Sequence, residues 1–364
     1  KKIKTIFLSW IYQNAGKTTV ALGLYQAMRE RGINAAIMKP VGQIYVSVGD
    51  LKIDKDSYLF GEVFKFSCQW HDMSPVTIDR GYTEKYILNP NKDHLGKEIL
   101  KSFNNLTSRR QAIIIEGTGH AGVGSVIDFS NADVARLLGS KVIIISEGGI
   151  GKTIDEIMLN KALFDAQGVE VIGVIINKVL PDKYDKVKNF LEKGLSRKGI
   201  RLLGVIPHQP LLSAPRMEQI AEKLGLDVLC GKINLRNRVK HVIVAAMEPH
   251  NMIHYLEDGT LVLASGDRVD NILLAVSSHL VRDSRSFKIA GMILTGGLKP
   301  NPAILELLSR SHIPVLISSD DTFTVATKVE QSICKIEKKD KDKIEESGRL
   351  VKKFVDVNTI LNVV

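Results

Sequence analysis

Residues 5–24, "TIFLSWIYQNAGKTTVALGL", decide the fold of the first half of the chain. A short apolar run leads into Gly16-Lys17-Thr18, and the apolar residues after Thr18 recur at the spacing of one helix face. Strand, loop and helix in this order form a phosphate-binding loop. Its backbone N–H groups surround phosphate, its lysine reaches the outer oxygens and its hydroxyl binds Mg²⁺. The stretch therefore predicts a nucleotide site where the first strand ends.

The glycine that usually opens such a loop is missing. Its position holds Ile11, or Trp10 if the loop is one residue longer. Two explanations stay open: the backbone needs no positive φ there, or the loop surrounds phosphate less closely. An ordinary helix N-terminus with a solvated lysine is the alternative to a nucleotide site. The residues predicted to hold the nucleotide in this loop are Asn14, Ala15, Gly16, Lys17, Thr18 and Thr19.

The composition is that of an ordinary globular protein. The chain has 364 residues, of which 44% are hydrophobic and 25% charged, and this length favours more than one domain. No apolar run approaches the roughly 18 to 20 residues of a membrane span, and the first residues lead directly into a strand-like segment. We therefore expect a cytoplasmic protein with no membrane contact.

Charge and cysteine spacing exclude two further classes of site. The net charge of +10 is interleaved with acids, as in "KIEKKDKDKIEE" (335–346), which argues against a nucleic-acid partner. The three cysteines, Cys68, Cys230 and Cys334, are far apart and lack the spacing of a zinc site or a disulfide framework, so we expect buried thiols.

Short β-branched runs alternate with helical patterns through the first half of the chain. Such runs suit strands that are buried on both faces of a parallel sheet, which predicts a doubly wound, mostly parallel α/β domain. The runs are "TIFLS" (5–9), "NAAIM" (34–38), "AIIIE" (112–116), "KVIIIS" (141–146), "VIGVIIN" (171–177) and "RLLGVIP" (201–207).

A second series of strands begins after a proline-rich stretch, "PHQPLLSAP" (207–215). It predicts a smaller α/β domain, and the apolar residues of the charged tail predict one last amphipathic helix. We expect the domains to span 1–213 and 214–335, with a helical tail over 336–364.

Polar residues stand where several predicted strands end, which is where parallel sheets bind ligands. Glu116 follows an apolar strand beside a glycine-rich loop, the position of an acid that completes a Mg²⁺ shell. Lys39 can meet a bound phosphate or carboxylate. Asp54 and Asp56 offer two further acids, and the amide of Asn177 can read an adenine edge.

The motifs together resemble dethiobiotin synthetase and its relatives, the cobyrinate a,c-diamide synthases, over roughly residues 3–213. They are Gly16-Lys17-Thr18, Lys39-Pro40-Val41, Asp56, Glu116-Gly117, "GGIGKTIDEI" (148–157), Asn177-Lys178 and "GVIP" (204–207). The second unit, with "GDRVD" (266–270) and "ILTGG" (293–297), is similar to a DRTGG domain. The combination resembles the N-terminal region of long bacterial phosphate acetyltransferases.

The resemblance implies a site for ATP and Mg²⁺. Lys17 would lie on the outer phosphates, and Thr18, Asp56 and Glu116 would share the metal. Lys39 would stand near the γ-phosphate and the group that receives it, which makes Lys17, Lys39 and Glu116 the predicted catalytic residues. Asn177 and Pro207 would lie at the nucleotide. Relatives of both domains tend to self-associate, so we expect a homo-oligomer.

Two functions remain open. The first is an ATP-binding sensor or weak ATPase, because a DRTGG domain is usually regulatory and the glutamine-hydrolysing domain of the amidating relatives is missing. The second is an ATP-dependent ligase that phosphorylates a small carboxylate or an amine-derived carbamate.

Two features have open roles. In the "GDR" and "TGG" segments, Arg268 could clamp an anion, or the residues could only form turns and local pairs. His120 could shuttle a proton beside Glu116, or it could anchor its loop by hydrogen bonds.

Overall fold

The computed structural model describes residues 3–11, 16–280, 287–332 and 335–364. Within them the strands are Lys4–Trp10 (β1), Ala35–Met38 (β2), Val41–Gly42 (β3), Tyr45–Val48 (β4), Leu51–Asp54 (β5), Val76–Thr77 (β6), Ala112–Glu116 (β7), Lys141–Glu147 (β8), Val171–Val179 (β9), Leu202–Pro207 (β10), Asp227–Cys230 (β11), His241–Val244 (β12), Thr260–Ser265 (β13), Gly291–Thr295 (β14) and Val315–Ile317 (β15).

The α-helices in the same residues are Lys17–Glu30 (α1), Lys55–Phe64 (α2), Trp70–Met73 (α3), Tyr82–Leu88 (α4), Lys92–Thr107 (α5), Asn131–Leu137 (α6), Gly151–Ala166 (α7), Tyr184–Ser196 (α8), Pro210–Ser213 (α9), Met217–Leu224 (α10), Pro249–Met252 (α11), Val269–Leu280 (α12), Pro302–Ser311 (α13), Thr322–Glu330 (α14), Lys341–Phe354 (α15) and Val357–Val363 (α16).

The chain divides into two compact units. The first unit combines Lys1–Gln209 with Ile336–Val364, and the second unit is Pro210–Lys335. The chain thus leaves the first unit, builds the second one and returns.

A six-stranded sheet in the order β10-β9-β8-β1-β7-β2 forms the centre of the first unit. Every pair of neighbouring strands is parallel, which confirms the predicted doubly wound parallel fold. After β1 the chain crosses to the edge strand β2, returns through β7, and then builds β8 to β10 on the other side of β1. The end of β1 is therefore the point where the strand order reverses, and such points bind ligands in open α/β sheets.

The second unit is a smaller α/β sheet in the order β11-β15-β14-β13-β12. Strands β12 to β15 are parallel, and β11 pairs antiparallel with β15 at one edge. Separate apolar clusters cover the two faces. One is built around α11, α12 and α13, and the other around α10 and α14.

The residues after the second unit fold back onto the first one. The tail forms two helices, α15 and α16, where the sequence predicted a single helix, because Val355 is extended and bridges to Gly204. The packing of α15 on α1 is close: a Cβ on Gly23 would lie 2.6 Å from the Ser347 carbonyl oxygen. The tail is therefore an integral layer of the first unit.

The structure bears on two expectations drawn from the composition, the absence of a membrane span and the burial of the cysteines. Searching the described ranges finds no helix that combines the length and apolar character of a bilayer span. Cys68 and Cys230 are free and half-buried, not fully buried as expected, while Cys334 lies outside the described residues.

Candidate functional site

The phosphate loop begins where β1 leaves the sheet. The backbone N–H of Trp10 donates to the Gly119 carbonyl (3.3 Å), and that of Ile11 donates to the Ile145 carbonyl (3.1 Å). The chain is therefore held on both sides, by the loop after β7 and by β8, up to the point where it enters the loop. The predicted nucleotide contacts Asn14 and Ala15 lie outside the described residues.

Ile11, at the position of the missing glycine, has an ordinary backbone conformation. Among the described residues, the non-glycine positions with positive φ are Lys65, Asp128, Lys178 and His312. The side chain of Ile11 is only 6% exposed. The backbone therefore needs no positive φ at Ile11, and a β-branched side chain fills the core there.

The loop ends at Gly16, the N-cap of α1, with φ of 85° in the left-handed region. Backbone N–H groups at such a helix start face a bound anion, and the helix dipole favours negative charge there. Lys17 and Thr18, the first residues of α1, are partly exposed, whereas Thr19 is buried in the helix face that packs on the sheet. Among the predicted contacts that the structure describes, the side chains of Lys17 and Thr18 thus reach the surface, and that of Thr19 does not.

Lys39 lies at the centre of three carboxylates. Its Nζ is 2.6 Å from Asp56 Oδ2, 3.1 Å from Asp54 Oδ1 and 3.6 Å from Glu116 Oε1. All four side chains are at least 94% buried. We call these residues, Lys39, Asp54, Asp56 and Glu116, the Lys39 cluster. The structure thus brings together three residues that the sequence placed at the site by their motifs and adds a fourth.

Asp54 is the member that sequence reasoning named only as a spare acid. Asp54 caps α2, because its Oδ1 accepts the backbone N–H of Asp56 (2.9 Å). The backbone N–H of Asp54 in turn donates to the Ser74 hydroxyl (3.1 Å). Its Oδ2 is buried, and no hydrogen-bond partner for it lies in the described ranges of the chain. The Asp-Lys-Asp spacing at a helix start was the available signal, because a capping aspartate lies beside the residue two positions later.

Glu116 is fully buried, and neither carboxylate oxygen has a hydrogen-bond partner within the described residues. Burial raises the pKa of Glu116 to about 7, while the charges of Lys39 and Lys17 act in the opposite direction. The influence of Lys17 places the phosphate-loop lysine in the electrostatic range of the Lys39 cluster. A buried carboxyl without donors is suited to a ligand that brings positive charge.

Lys39 itself stays charged. Burial alone would lower the pKa of the amine, but the three carboxylates outweigh burial and raise the pKa above its ordinary value. The ammonium is therefore the cation that compensates the buried acids in this structure.

The cluster fits a magnesium ion. Across the described parts of the chain, no group of three His, Cys, Asp or Glu side chains is placed to hold a metal by itself. Mg²⁺ needs no such cage, because it keeps waters and takes one or two carboxylates together with substrate phosphates. The orphaned oxygens of Glu116 and Asp54 are oxygen donors of the kind it prefers.

Asn177 lies directly against the end of the phosphate loop. A Cβ on Gly16 would overlap the Asn177 amide nitrogen, so only glycine leaves room for that side chain. Asn177 is 3% exposed and pairs with Glu147 across β8 and β9. The next residue, Lys178, has φ of 57° and forms an ion pair with Glu147 (2.8 Å). A positive φ at a non-glycine residue is strained, and such strain is common at functional sites, so it singles out this strand end.

Two other predicted residues lie nearby in the fold. Pro207 ends β10, the edge strand next to β9, and pairs with Val179. His120 is exposed, and its Nδ1 accepts the backbone N–H of Gly122 (3.2 Å), a contact of the anchoring kind.

Asn131 is a positioning residue that the sequence did not reveal. Its side chain accepts the N–H of Thr118 (3.1 Å) and donates to the carbonyls of Thr118 (3.0 Å) and His120 (2.7 Å). These bonds fix the glycine-rich loop that follows Glu116. An asparagine at a helix start carries no spacing that would predict this contact.

The comparison with known families decides the identity of the first unit. Residues 4–216 match the family described as AAA domain, which is more than half of the chain. The chain belongs to this AAA domain family.

A DRTGG domain follows the AAA domain, over residues 219–332. A phosphate acetyltransferase of Synechocystis is 27% identical over 98% of this chain and 51% of its own length. The Pseudomonas putida phosphate acetyltransferase is 28% identical over 90% of this chain and 47% of its own. These matches confirm the predicted likeness to phosphate acetyltransferases. The chain spans about half the length of these curated relatives.

Solved structures are similar to each part of the chain. Pyrococcus horikoshii MinD with Mg-ADP is 19% identical over 58% of this chain and 84% of its own, with a TM-score of 0.38. The CBS and DRTGG domains of the regulatory region of Clostridium perfringens pyrophosphatase, complexed with the activator diadenosine tetraphosphate, are 18% identical over 43% of this chain and 73% of theirs, with a TM-score of 0.28.

The signature segments of the DRTGG domain make close contacts and hydrogen bonds within the domain. A Cβ on Gly266 would overlap the Leu298 carbonyl, and the N–H groups of Gly296 and Gly297 donate to the loop after β15. Arg268 holds Asp270 through two 3.0 Å bonds and also reaches two backbone carbonyls. Of the two interpretations of these segments, the contacts favour turns and local pairs.

Proposed function

We propose that the AAA domain binds Mg-ATP and that, with the DRTGG domain, it works as a nucleotide-dependent sensor or weak ATPase. One observation carries the proposal: the Lys39 cluster is buried within electrostatic range of Lys17 at the start of α1, and among the described residues no donor reaches Asp54 Oδ2 or either oxygen of Glu116. A phosphate on the helix N-terminus and a metal on those oxygens would satisfy both features.

In this proposal each residue has a defined part. Lys17 neutralises the outer phosphates as a point charge, and the backbone N–H groups after Gly16 donate hydrogen bonds to the phosphate oxygens. Thr18, Asp56 and Glu116 hold Mg²⁺, which supplies charge neutralisation at the phosphates when it is bound. Asn177, packed on Gly16, faces the nucleotide from β9.

Slow turnover follows from the chemistry that the cluster offers. Phosphoryl transfer needs a positioned nucleophile as well as charge neutralisation. Lys39 is engaged by Asp56 and His120 by its own loop. Two comparisons also agree with a sensing role. The similar Clostridium pyrophosphatase structure is described as a regulatory region, and this chain corresponds to about half the length of its acetyltransferase relatives.

The proposal is tested with a fluorescent ATP analogue and with labelled ATP. Wild-type protein is expected to bind the analogue in a Mg²⁺-dependent manner, and Glu116→Gln is expected to lose most of that dependence, while the exposed-site change Lys52→Met keeps it. Labelled ATP is expected to release ADP slowly and at the same rate with every added carboxylate or diamine. Strong stimulation by one such compound would instead establish the ligase function, and no analogue binding would refute both.

A further inference from the structure

Lys39 stands where the sequence placed a phosphate-binding cation, but three carboxylates of the protein engage its ammonium. Its ammonium donates a 2.6 Å hydrogen bond to Asp56 and lies within 3.6 Å of two further carboxylates. Only 5% of Lys39 is exposed. A lysine whose only partner was the γ-phosphate would extend its ammonium toward solvent at the strand end.

We propose that Lys39 is an internal counterion that keeps the cluster closed to free divalent cations, so that Mg²⁺ enters only together with a nucleotide. The inference rests on the proposed Mg-nucleotide binding and adds that the metal does not bind before the nucleotide. Lys39 thereby acts as a positioning residue: its ammonium decides whether the carboxylate oxygens are available to the metal.

The charges of the buried groups support this role. Three carboxylates surround one ammonium, and each would be costly to leave without a counterion at this depth. A free metal ion would have to lose waters and displace the ammonium from the carboxylates that it neutralises. The phosphates of a nucleotide offer the ammonium a new anionic acceptor. Once it moves, the oxygens of Asp56, Asp54 and Glu116 are open to the metal that arrives with the phosphates.

The test measures binding of Mn²⁺, a paramagnetic stand-in for Mg²⁺, by the loss of its free electron paramagnetic resonance signal in nucleotide-free protein. Wild type is expected to bind Mn²⁺ no more tightly than about 1 mM, which corresponds to roughly 4 kcal/mol. Lys39→Met is expected to bind it about tenfold or more tightly than wild type. The double variant Lys39→Met/Glu116→Gln is expected to lose that gain, which locates the ion in the cluster.

Lys52→Met is the matched control, because Lys52 also pairs with an aspartate, Asp79, but at an exposed position. It is expected to bind Mn²⁺ as wild type does. Equal Mn²⁺ affinity of wild type and a folded Lys39→Met would overturn the proposal. If circular dichroism shows that Lys39→Met does not fold, wild type decides: nucleotide-free binding tighter than about 100 μM overturns the proposal, and weaker binding supports it.

Failure of this inference is distinguishable from failure of the proposed function. If wild type binds the ATP analogue and also takes up Mn²⁺ alone, only the counterion role is wrong. If the analogue does not bind at all, the proposed function is wrong whatever the Mn²⁺ titration shows.

Discussion

Gly16 is the residue on which the phosphate loop and the Asn177 side chain both depend. Its φ of 85° is costly for any side chain, and an added Cβ would also overlap the Asn177 amide. We expect Gly16→Ala to lower the free energy of unfolding by about 1–3 kcal/mol and to weaken ATP binding, because the displaced amide no longer faces the nucleotide. Urea unfolding and analogue titration measure the two effects.

Gly32 provides the control for this prediction. It has φ of 71°, and nothing lies within 4 Å of an added Cβ, so Gly32→Ala carries the backbone cost alone. The excess destabilisation of Gly16→Ala over Gly32→Ala therefore reports the Asn177 contact. Equal losses in the two variants, with unchanged ATP affinity, would show that Asn177 does not contribute to the site.

At the residue level, the sequence predicted the members of the site better than their contacts. Lys39 and Glu116 follow apolar runs, and parallel strands bring their carboxyl ends to one edge, so their proximity was predictable. That Lys39 binds carboxylates depends on its ion pairs with Asp54 and Asp56, which are tertiary contacts. The burial of Ile11 is likewise not encoded in any motif.

The contact between α1 and α15 is the element-level feature that most directly supports the phosphate loop. Gly23 faces the Ser347 carbonyl oxygen at 2.6 Å from an added Cβ, and Gly348 faces the Gln26 side chain. A Gly→Ala change in a helix interior ordinarily stabilises by about 1 kcal/mol. We expect the opposite sign for Gly23→Ala, because the obstacle is backbone and cannot move aside.

Gly348→Ala is expected to cost less than Gly23→Ala, because Gln26 can rotate away. Thermal unfolding of the two variants, compared with wild type, gives the order. A stabilised Gly23→Ala would contradict the close packing of α15 on α1. A loss of ATP affinity parallel to the loss of stability would show that α15 holds the start of α1 in place.

Most central strands could be predicted, and most of the connecting structure could not. The run at 112–116 coincides with β7, and the run at 141–146 lies within β8, because buried parallel strands are apolar on both faces. The hairpin of β4 and β5 is partly exposed and has no such signal. The break in the tail helix comes from the bridge of Val355 to Gly204, a contact between residues far apart in sequence.

At the scale of the whole molecule, the first unit, which carries the AAA domain, is assembled from two separate segments. Gln209 donates a 2.6 Å hydrogen bond to Glu346, which places the end of the first segment beside α15. We expect a chain in which a short glycine and serine linker replaces 210–335 to fold and bind ATP. A chain that ends at Gln209 is expected to lose α15 from α1 and to unfold at lower temperature.

Calorimetric unfolding and analogue binding of the two truncated chains check this prediction. Equal stability of both chains would show that residues 336–364 are dispensable for the AAA domain. The position of α15 was not predictable from the sequence, since an amphipathic tail does not indicate which of two units it covers.

Titration calorimetry of Mg-ATP into wild type and Lys17→Ala tests the central claim most directly. Lys52→Ala is the control, because Lys52 is a lysine that pairs with an aspartate, Asp79, at an exposed position. We predict saturable heat for wild type and Lys52→Ala and an affinity at least about tenfold lower for Lys17→Ala, a loss of about 1.4 kcal/mol or more. Absence of binding heat in wild type, or equal affinity in wild type and Lys17→Ala, would contradict the account.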